Sequence, residues 1–133
     1  MTSAASSKFP KSRHLLKHAD FQRVYQSGRR QFTGNMTVFF LRRSGGREAI
    51  GTGNTPRVGF TVGKVLGGAV ERNRIRRRMR EAVRLSARVC DGPIDVVFNP
   101  RKSVGNVPFA ELVNEVTRAL RLAAQRARTG EQE

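Results

Sequence analysis

The sequence predicts one small domain of the α/β (α+β) kind, a sheet covered by helices, and three observations predict it. Segments 36–43 and 57–63 carry apolar residues at strand spacing, and a third apolar run follows at 94–98. Segments 71–89 and 108–128 carry apolar residues at helical spacing instead. The 133-residue length and 38% hydrophobic content suffice for one modest core and leave no room for a second domain. A sheet and helices that each own an apolar side bury it most simply against one another.

The chain opens with a stretch rich in Ser, Ala, Lys and Pro. Residues 1–13 are expected to form a flexible basic arm, with Lys8, Lys11 and Arg13 free to touch a phosphate backbone. The folded domain is expected over 14–128, with 129–133 a frayed tail. A short helix is expected over 18–27, with Asp20 in its first turn and Gly28 after its end as a C′ glycine. Phe21, Val24 and Tyr25 fall at i, i+3 and i+4 on one face. Such a face ordinarily packs into a core. With Arg23, Arg29 and Arg30 beside it and a hydroxyl on Tyr25, it also suits the stacking of unpaired bases.

Residues 36–43 read as a strand with apolar residues on both sides, preceded by a short additional strand around Gln31, Phe32 and Thr33. Gly45, Gly46, Gly51, Gly53, Asn54 and Pro56 punctuate a loop over 44–56. In the strand over 57–63, Val58, Phe60 and Val62 alternate with Gly59, Thr61 and Gly63. One side is apolar, and the other is nearly bare backbone that a helix or ligand can approach closely. Lys64, Gly67 and Gly68 form a flexible lead-in to the next helix and match no Walker or dinucleotide fingerprint.

That helix, 71–89, is the most distinctive stretch. Six of the nine residues from Arg72 to Arg80 are arginine. At about 100° per residue, Ile75, Met79, Ala82, Val83, Ser86 and Val89 share one side and the arginines take the rest. Arg72, Arg76 and Arg80 form a like-charge ladder at i,i+4, which costs stability. Glu71 and Glu81 do not neutralise it, but a polyanion does, and the guanidinium fork suits phosphate oxygens and base edges. Asp91, Gly92 and Pro93 stop the helix; a strand follows over Ile94–Phe98 and ends at Asn99, Pro100, Arg101 and Lys102. The last helix starts near Pro108, where the missing donor is not needed. Phe109, Leu112, Val113, Val116, Ala119, Leu120 and Ala123 form its apolar stripe; Arg118, Arg121, Arg126 and Arg128 crowd its outer half. The expected element order is α-β-β-β-α-β-α.

The formal charge is +16, from 26 Lys and Arg against 10 Asp and Glu, which points to a polyanionic partner. No apolar run approaches the roughly 20 residues that span a bilayer, and no apolar stretch marks the N-terminus for secretion. A cytoplasmic location without membrane contact is expected. Cys90 is the only cysteine and reads as a small buried hydrophobe. His14 and His18 share the i,i+4 spacing of a metal pair, but no HExxH frame or cysteine partner supports them. No nucleophile triad, paired-carboxylate signature or P-loop is present, and Asp95 stands alone on its strand. These residues leave two kinds of RNA binder open: a processing factor with a substrate groove, and a ribosomal or other structural RNA-binding protein. No helix-turn-helix spacing or zinc pattern supports a DNA binder.

The run from Lys64 to Arg84, with Ala69-Val70-Glu71-Arg72-Asn73-Arg74-Ile75-Arg76-Arg77-Arg78-Met79-Arg80-Glu81, resembles the signature of the bacterial ribonuclease P protein subunit family. Arg57 to Val62 fits the same family, as do Leu15 through Asp20, Phe21 to Tyr25 and Gly28, and Asp95 to Val97. The resemblance covers roughly residues 13–125. It implies a two-layer sandwich with a four-stranded sheet and a left-handed helix crossover between parallel strands. It also implies a non-catalytic subunit of an endoribonuclease, with a large catalytic RNA and precursor tRNA as partners and no obligate protein partner. Mg²⁺, held mainly by the RNA, is the implied cofactor. On this resemblance, Arg72, Asn73, Arg74, Arg76, Arg77 and Arg80 face the catalytic RNA. Phe21, Tyr25 and Phe39, bordered by Arg57 and Lys64, take the single-stranded 5′ leader. Gly67 and Gly68 stand where the family often has a further basic residue.

Overall fold

The computed structural model describes residues 18–43, 56–86, 89–90 and 92–129. The basic arm, His14, most of the 44–56 loop, Asp91 and the extreme C-terminus lie outside them. The elements are α1 (His18–Ser27), β1 (Arg29–Phe32), β2 (Met36–Arg42), β3 (Arg57–Phe60), α2 (Ala69–Ser86), β4 (Ile94–Pro100) and α3 (Phe109–Thr129). The order α-β-β-β-α-β-α is as expected. Two short 3-10 turns, Lys64–Leu66 and Lys102–Gly105, precede α2 and α3.

The four strands form one sheet in the order β1-β2-β4-β3. β1 with β2 and β2 with β4 are antiparallel; β3 with β4 is parallel. β4 is therefore an inner strand, and all of Ile94–Phe98 is buried, which explains why its residues are apolar on both faces except for Asp95. Strand alternation divides the sheet into two faces. Met36, Val38, Phe40, Val58, Ile94, Val96 and Phe98 join Ile75, Met79, Ala82, Val83, Leu112, Val116 and Leu120 from α2 and α3 in the main core. Cys90 is buried in the same core. On the opposite face Val24 of α1 and Val97 form a smaller cluster, with Phe21, Phe39 and Leu41 packed around it.

β3 stops at Phe60 where a strand over 57–63 was expected, and α2 spans Ala69–Ser86 in place of 71–89; three further local features differ from the sequence reading. Gly28 is not a left-handed cap, since only Gly67 and Gly92 have positive φ among the described glycines. It is glycine because a Cβ there would lie 2.6 Å from the Phe40 carbonyl oxygen, where α1 turns into β1. The lead-in to α2 is ordered: Gly67 N–H closes the 3-10 turn onto the Lys64 carbonyl (3.1 Å), at a φ of +129° that favours glycine. Glu71 then accepts from Gly68 N–H (2.9 Å), one half of a capping box at the start of α2. The third difference is Asp95, which is far from alone. It is fully buried and accepts from Arg43 Nη1 (2.7 Å), Arg57 Nε (2.9 Å) and Nη2 (3.0 Å), and Arg23 Nη2 (3.4 Å). Asp20 joins through Arg23 (2.8 Å) and Arg57 (3.5 Å). This cluster fastens α1 to the starts of β3 and β4. At the other end of the sheet, buried Glu115 of α3 accepts from the Asn35 backbone N–H (2.8 Å), the Asn35 amide (2.7 Å) and the Thr33 hydroxyl.

Candidate nucleic-acid interface

The sequence of α2 makes an amphipathic helix, and packing decides which of its arginines are spent. Ile75, Met79, Ala82, Val83 and Ser86 are its buried residues, as the periodicity predicts. Val89 lies beyond the helix and is half-buried. Arg74 and Arg78 lie on the flank toward the 102–105 turn. Arg74 Nε donates to the Gly105 carbonyl (2.8 Å), and Arg78 donates to the Val104 (2.8 Å) and Val107 carbonyls while its guanidinium sits 5.7 Å over the Phe109 ring. Burial, and then the charge of Arg74, push the Arg78 guanidinium below its ordinary pKa. Arg84 hydrogen-bonds to Glu81 and holds that carboxyl below the usual carboxylate range.

On the outward side Asn73, Arg77 and Arg80 are exposed, and Arg77 and Arg80 have no partner among the described residues. On the third flank Arg72 Nε donates to the Gly67 carbonyl (3.2 Å) and Arg76 Nη1 to Asn73 Oδ1 (2.8 Å). The helix thus presents a cationic strip in which Arg72 is pre-aimed by a backbone carbonyl and Arg76 by the Asn73 side chain. Pre-aimed donors lose less rotamer entropy on meeting a phosphate.

Arg76 links this strip to a second feature. An open concavity of about 470 Å³ is lined by His18, Phe21, Gln22 and Tyr25 of α1, by Phe60, Thr61 and Val62 at the end of β3, and by Arg76. Tyr25 is fixed in it from two directions. Its hydroxyl donates to Asn99 Oδ1 (3.1 Å) and shares a 2.7 Å hydrogen bond with Thr61 Oγ1. Its ring meets Phe39 edge-on, with centroids 4.9 Å apart and planes at 81°. Tyr25 stays 37% exposed, so the ring is held and still reachable. Apolar walls, a fixed ring and an arginine at the rim suit a single-stranded nucleic acid.

Of the leader residues named from the sequence, Phe21 and Tyr25 line the concavity, and Phe39 supports Tyr25 from below. Arg57 and Lys64 are not among the lining residues. Arg57 makes a bidentate contact to Asp95, and Lys64 is exposed in the 3-10 turn. Sequence reasoning missed Phe60, Thr61, Val62 and Gln22 as lining residues and Asn99 as a partner of Tyr25. One signal for Asn99 was available: it is the first polar residue after Asp95 in the apolar run, at the same strand parity.

The family model described as Ribonuclease P matches residues 9–124. The ribonuclease P protein component of Brucella melitensis biotype 1 is 39% identical over 119 residues, covering 87% of this chain and 83% of that protein. That of Desulforapulum autotrophicum is 38% identical over 111 residues, covering 84% and 88%. Among solved structures, the Staphylococcus aureus RNase P protein superposes with a TM-score of 0.68 at 26% identity, over 85% of this chain and 96% of that one. The Thermotoga maritima RNase P protein has the same fold, with a TM-score of 0.68 at 23% identity, over 82% and 96%. With the arginine helix and the aromatic concavity in place, this chain belongs to the ribonuclease P protein family.

Proposed function

We infer that the protein is the non-catalytic subunit of the ribonuclease P endoribonuclease, which binds RNA and assists removal of the 5′ leader from precursor tRNA. α2 docks on the catalytic RNA through Asn73, Arg76, Arg77 and Arg80, with Arg72 and Arg74 at its flanks. The concavity takes unpaired leader nucleotides. One observation carries this division of labour: Arg76 belongs to both surfaces, so a leader on Phe21 and Tyr25 lies beside the RNA held by α2. A ring accepts any base on its π face, so the groove suits leaders of varied sequence.

Five of the six carboxylates among the described residues are committed to partners within the protein. Asp20 and Asp95 are paired with arginines, Glu71 caps α2, Glu81 pairs with Arg84 and Glu115 holds Asn35. Among the described residues no group of three His, Cys, Asp or Glu side chains is placed to hold a metal ion. These residues do not form a site for the Mg²⁺ expected in the holoenzyme, and that ion is assigned to the RNA.

The test compares holoenzyme affinity for precursor and mature tRNA. Tyr25→Leu keeps apolar bulk and removes the ring. It is expected to lower precursor affinity by about fivefold or more, the lower end of base stacking at roughly 1–3 kcal/mol. Affinity for mature tRNA and for the catalytic RNA is expected to stay unchanged. A large fall in melting temperature with the precursor-to-mature ratio intact would instead make Tyr25 a core residue.

A further inference from the structure

Val65 and Val70 are 91% and 83% exposed, the two most exposed large hydrophobic side chains among the described residues. Both stand at the head of the arginine helix, Val65 in the 3-10 turn Lys64–Leu66 and Val70 in the first turn of α2. The segment that carries them is firmly built. Leu66, between them in the chain, packs against the main core. Its N–H donates to the Gly63 carbonyl (3.0 Å), and Gly67 N–H donates to the Lys64 carbonyl (3.1 Å). Arg72 Nε donates to the Gly67 carbonyl (3.2 Å), and Glu71 Oε1 accepts from Gly68 N–H (2.9 Å). A backbone fixed in this way turns Leu66 inward and leaves both valines in water.

Their surroundings say what would cover them. Val70 lies about two helical turns before Arg77, so it heads the outward line of Asn73, Arg77 and Arg80. Exposed Lys64 precedes Val65. The only acid between Lys64 and Arg80 is Glu71, which is engaged with Gly68. An apolar tip among cations suits a partner that carries negative charge and apolar faces together. RNA does so where a base leaves the stack, because an A-form duplex shows side chains its phosphates, hydroxyls and shallow minor groove. Guanidinium–phosphate contacts carry no base information, so the arginine strip alone would dock at many places along an RNA.

We propose that Val65 and Val70 cover an unstacked base of the catalytic RNA, and that this apolar contact fixes where along that RNA the arginine strip docks. The proposal rests on the docking of α2 on the catalytic RNA. It assigns the two valines a part of the affinity that salt does not screen. A methyl group meeting a base face releases no counterions, whereas each arginine–phosphate contact does.

The experiment titrates catalytic RNA with the full-length protein at several KCl concentrations. The double variant Val65→Thr/Val70→Thr keeps both side chains β-branched and exchanges one methyl for a hydroxyl at each exposed position. Its affinity is expected to fall about fivefold or more at every salt concentration. The slope of log K against log salt and the melting temperature are expected to stay unchanged. Val65→Ile/Val70→Ile is expected to bind as wild type does. Dimethyl sulfate probing is expected to show an unpaired base that wild type protects and the threonine variant leaves reactive. If the threonine variant binds as wild type while Arg77→Ala lowers the slope, the tip is refuted and the docking of α2 stands. If neither variant changes RNA binding, the docking reading fails as well. A reduced slope in the threonine variant would make the contact electrostatic. A loss seen only with precursor tRNA present would give the tip to the substrate. A change in sedimentation of the free protein would give it to a second copy. Each of these results overturns the proposal.

Discussion

Asp95 shows how much one residue can hold without any local sign of it. Its arginine partners lie at positions 23, 43 and 57, on three different elements or their ends. No periodicity links positions so far apart, so the sequence shows an isolated acid and the fold shows a hub. Arg43 has a side chain only 6% exposed. Removing the buried acid from such a cluster costs about 3–5 kcal/mol, because buried positive charge is left uncompensated. Asp95→Ala is expected to lose that much in urea unfolding; a loss below ~1 kcal/mol would mean that water already serves these arginines. Glu81 behaves differently at the surface. The hydrogen bond from Arg84 depresses its pKa. Its contribution is therefore present above the unfolded carboxylate value and lost as pH falls through the lower folded value. Glu81→Gln is expected to lower the melting temperature slightly at neutral pH and not at all once both forms are protonated.

The arginine helix divides into parts that composition alone does not separate. Its buried stripe was legible, because a helical period survives in the sequence whatever the partner. The fate of the arginines was not, because the carbonyls that bind Arg74 and Arg78 belong to a turn about thirty residues later in the chain. Two variant classes follow. Replacing Arg77 or Arg80 with Ala removes groups without partners among the described residues. Each arginine–phosphate pairing removed in this way is expected to reduce the salt slope of RNA binding by about 0.9 on a duplex, with melting temperature unchanged. Arg78→Ala instead strands the Val104 and Val107 carbonyls. It is expected to cost about 1–3 kcal/mol of stability and to change the salt slope little. The opposite pattern, a stable Arg78→Ala protein with a reduced slope, would place Arg78 on the RNA. Gly67→Ala probes the helix start. Its positive φ, and the Glu71 carboxylate where the new Cβ would sit, predict a loss of about 1 kcal/mol or more.

At the scale of the whole molecule, element order and the two helix stripes were legible because period-2 and helical patterns alternate cleanly. Sheet order was not readable from periodicity: inserting β4 between β2 and β3 depends on pairings between residues 38 or more positions apart. That insertion makes the site. It brings Asn99 and Thr61 under Tyr25 and sets the concavity beside Arg76. The proposed function sets the two RNA surfaces side by side on this fold and leaves the chemistry to the RNA. The most direct measurement is precursor tRNA cleavage at modest Mg²⁺ by RNA-free protein, by the catalytic RNA, and by the two together. The account predicts no site-specific cleavage by the protein alone, and faster leader removal by the mixture than by the RNA alone. Site-specific cleavage by the RNA-free protein, or a mixture no faster than the RNA, would contradict it.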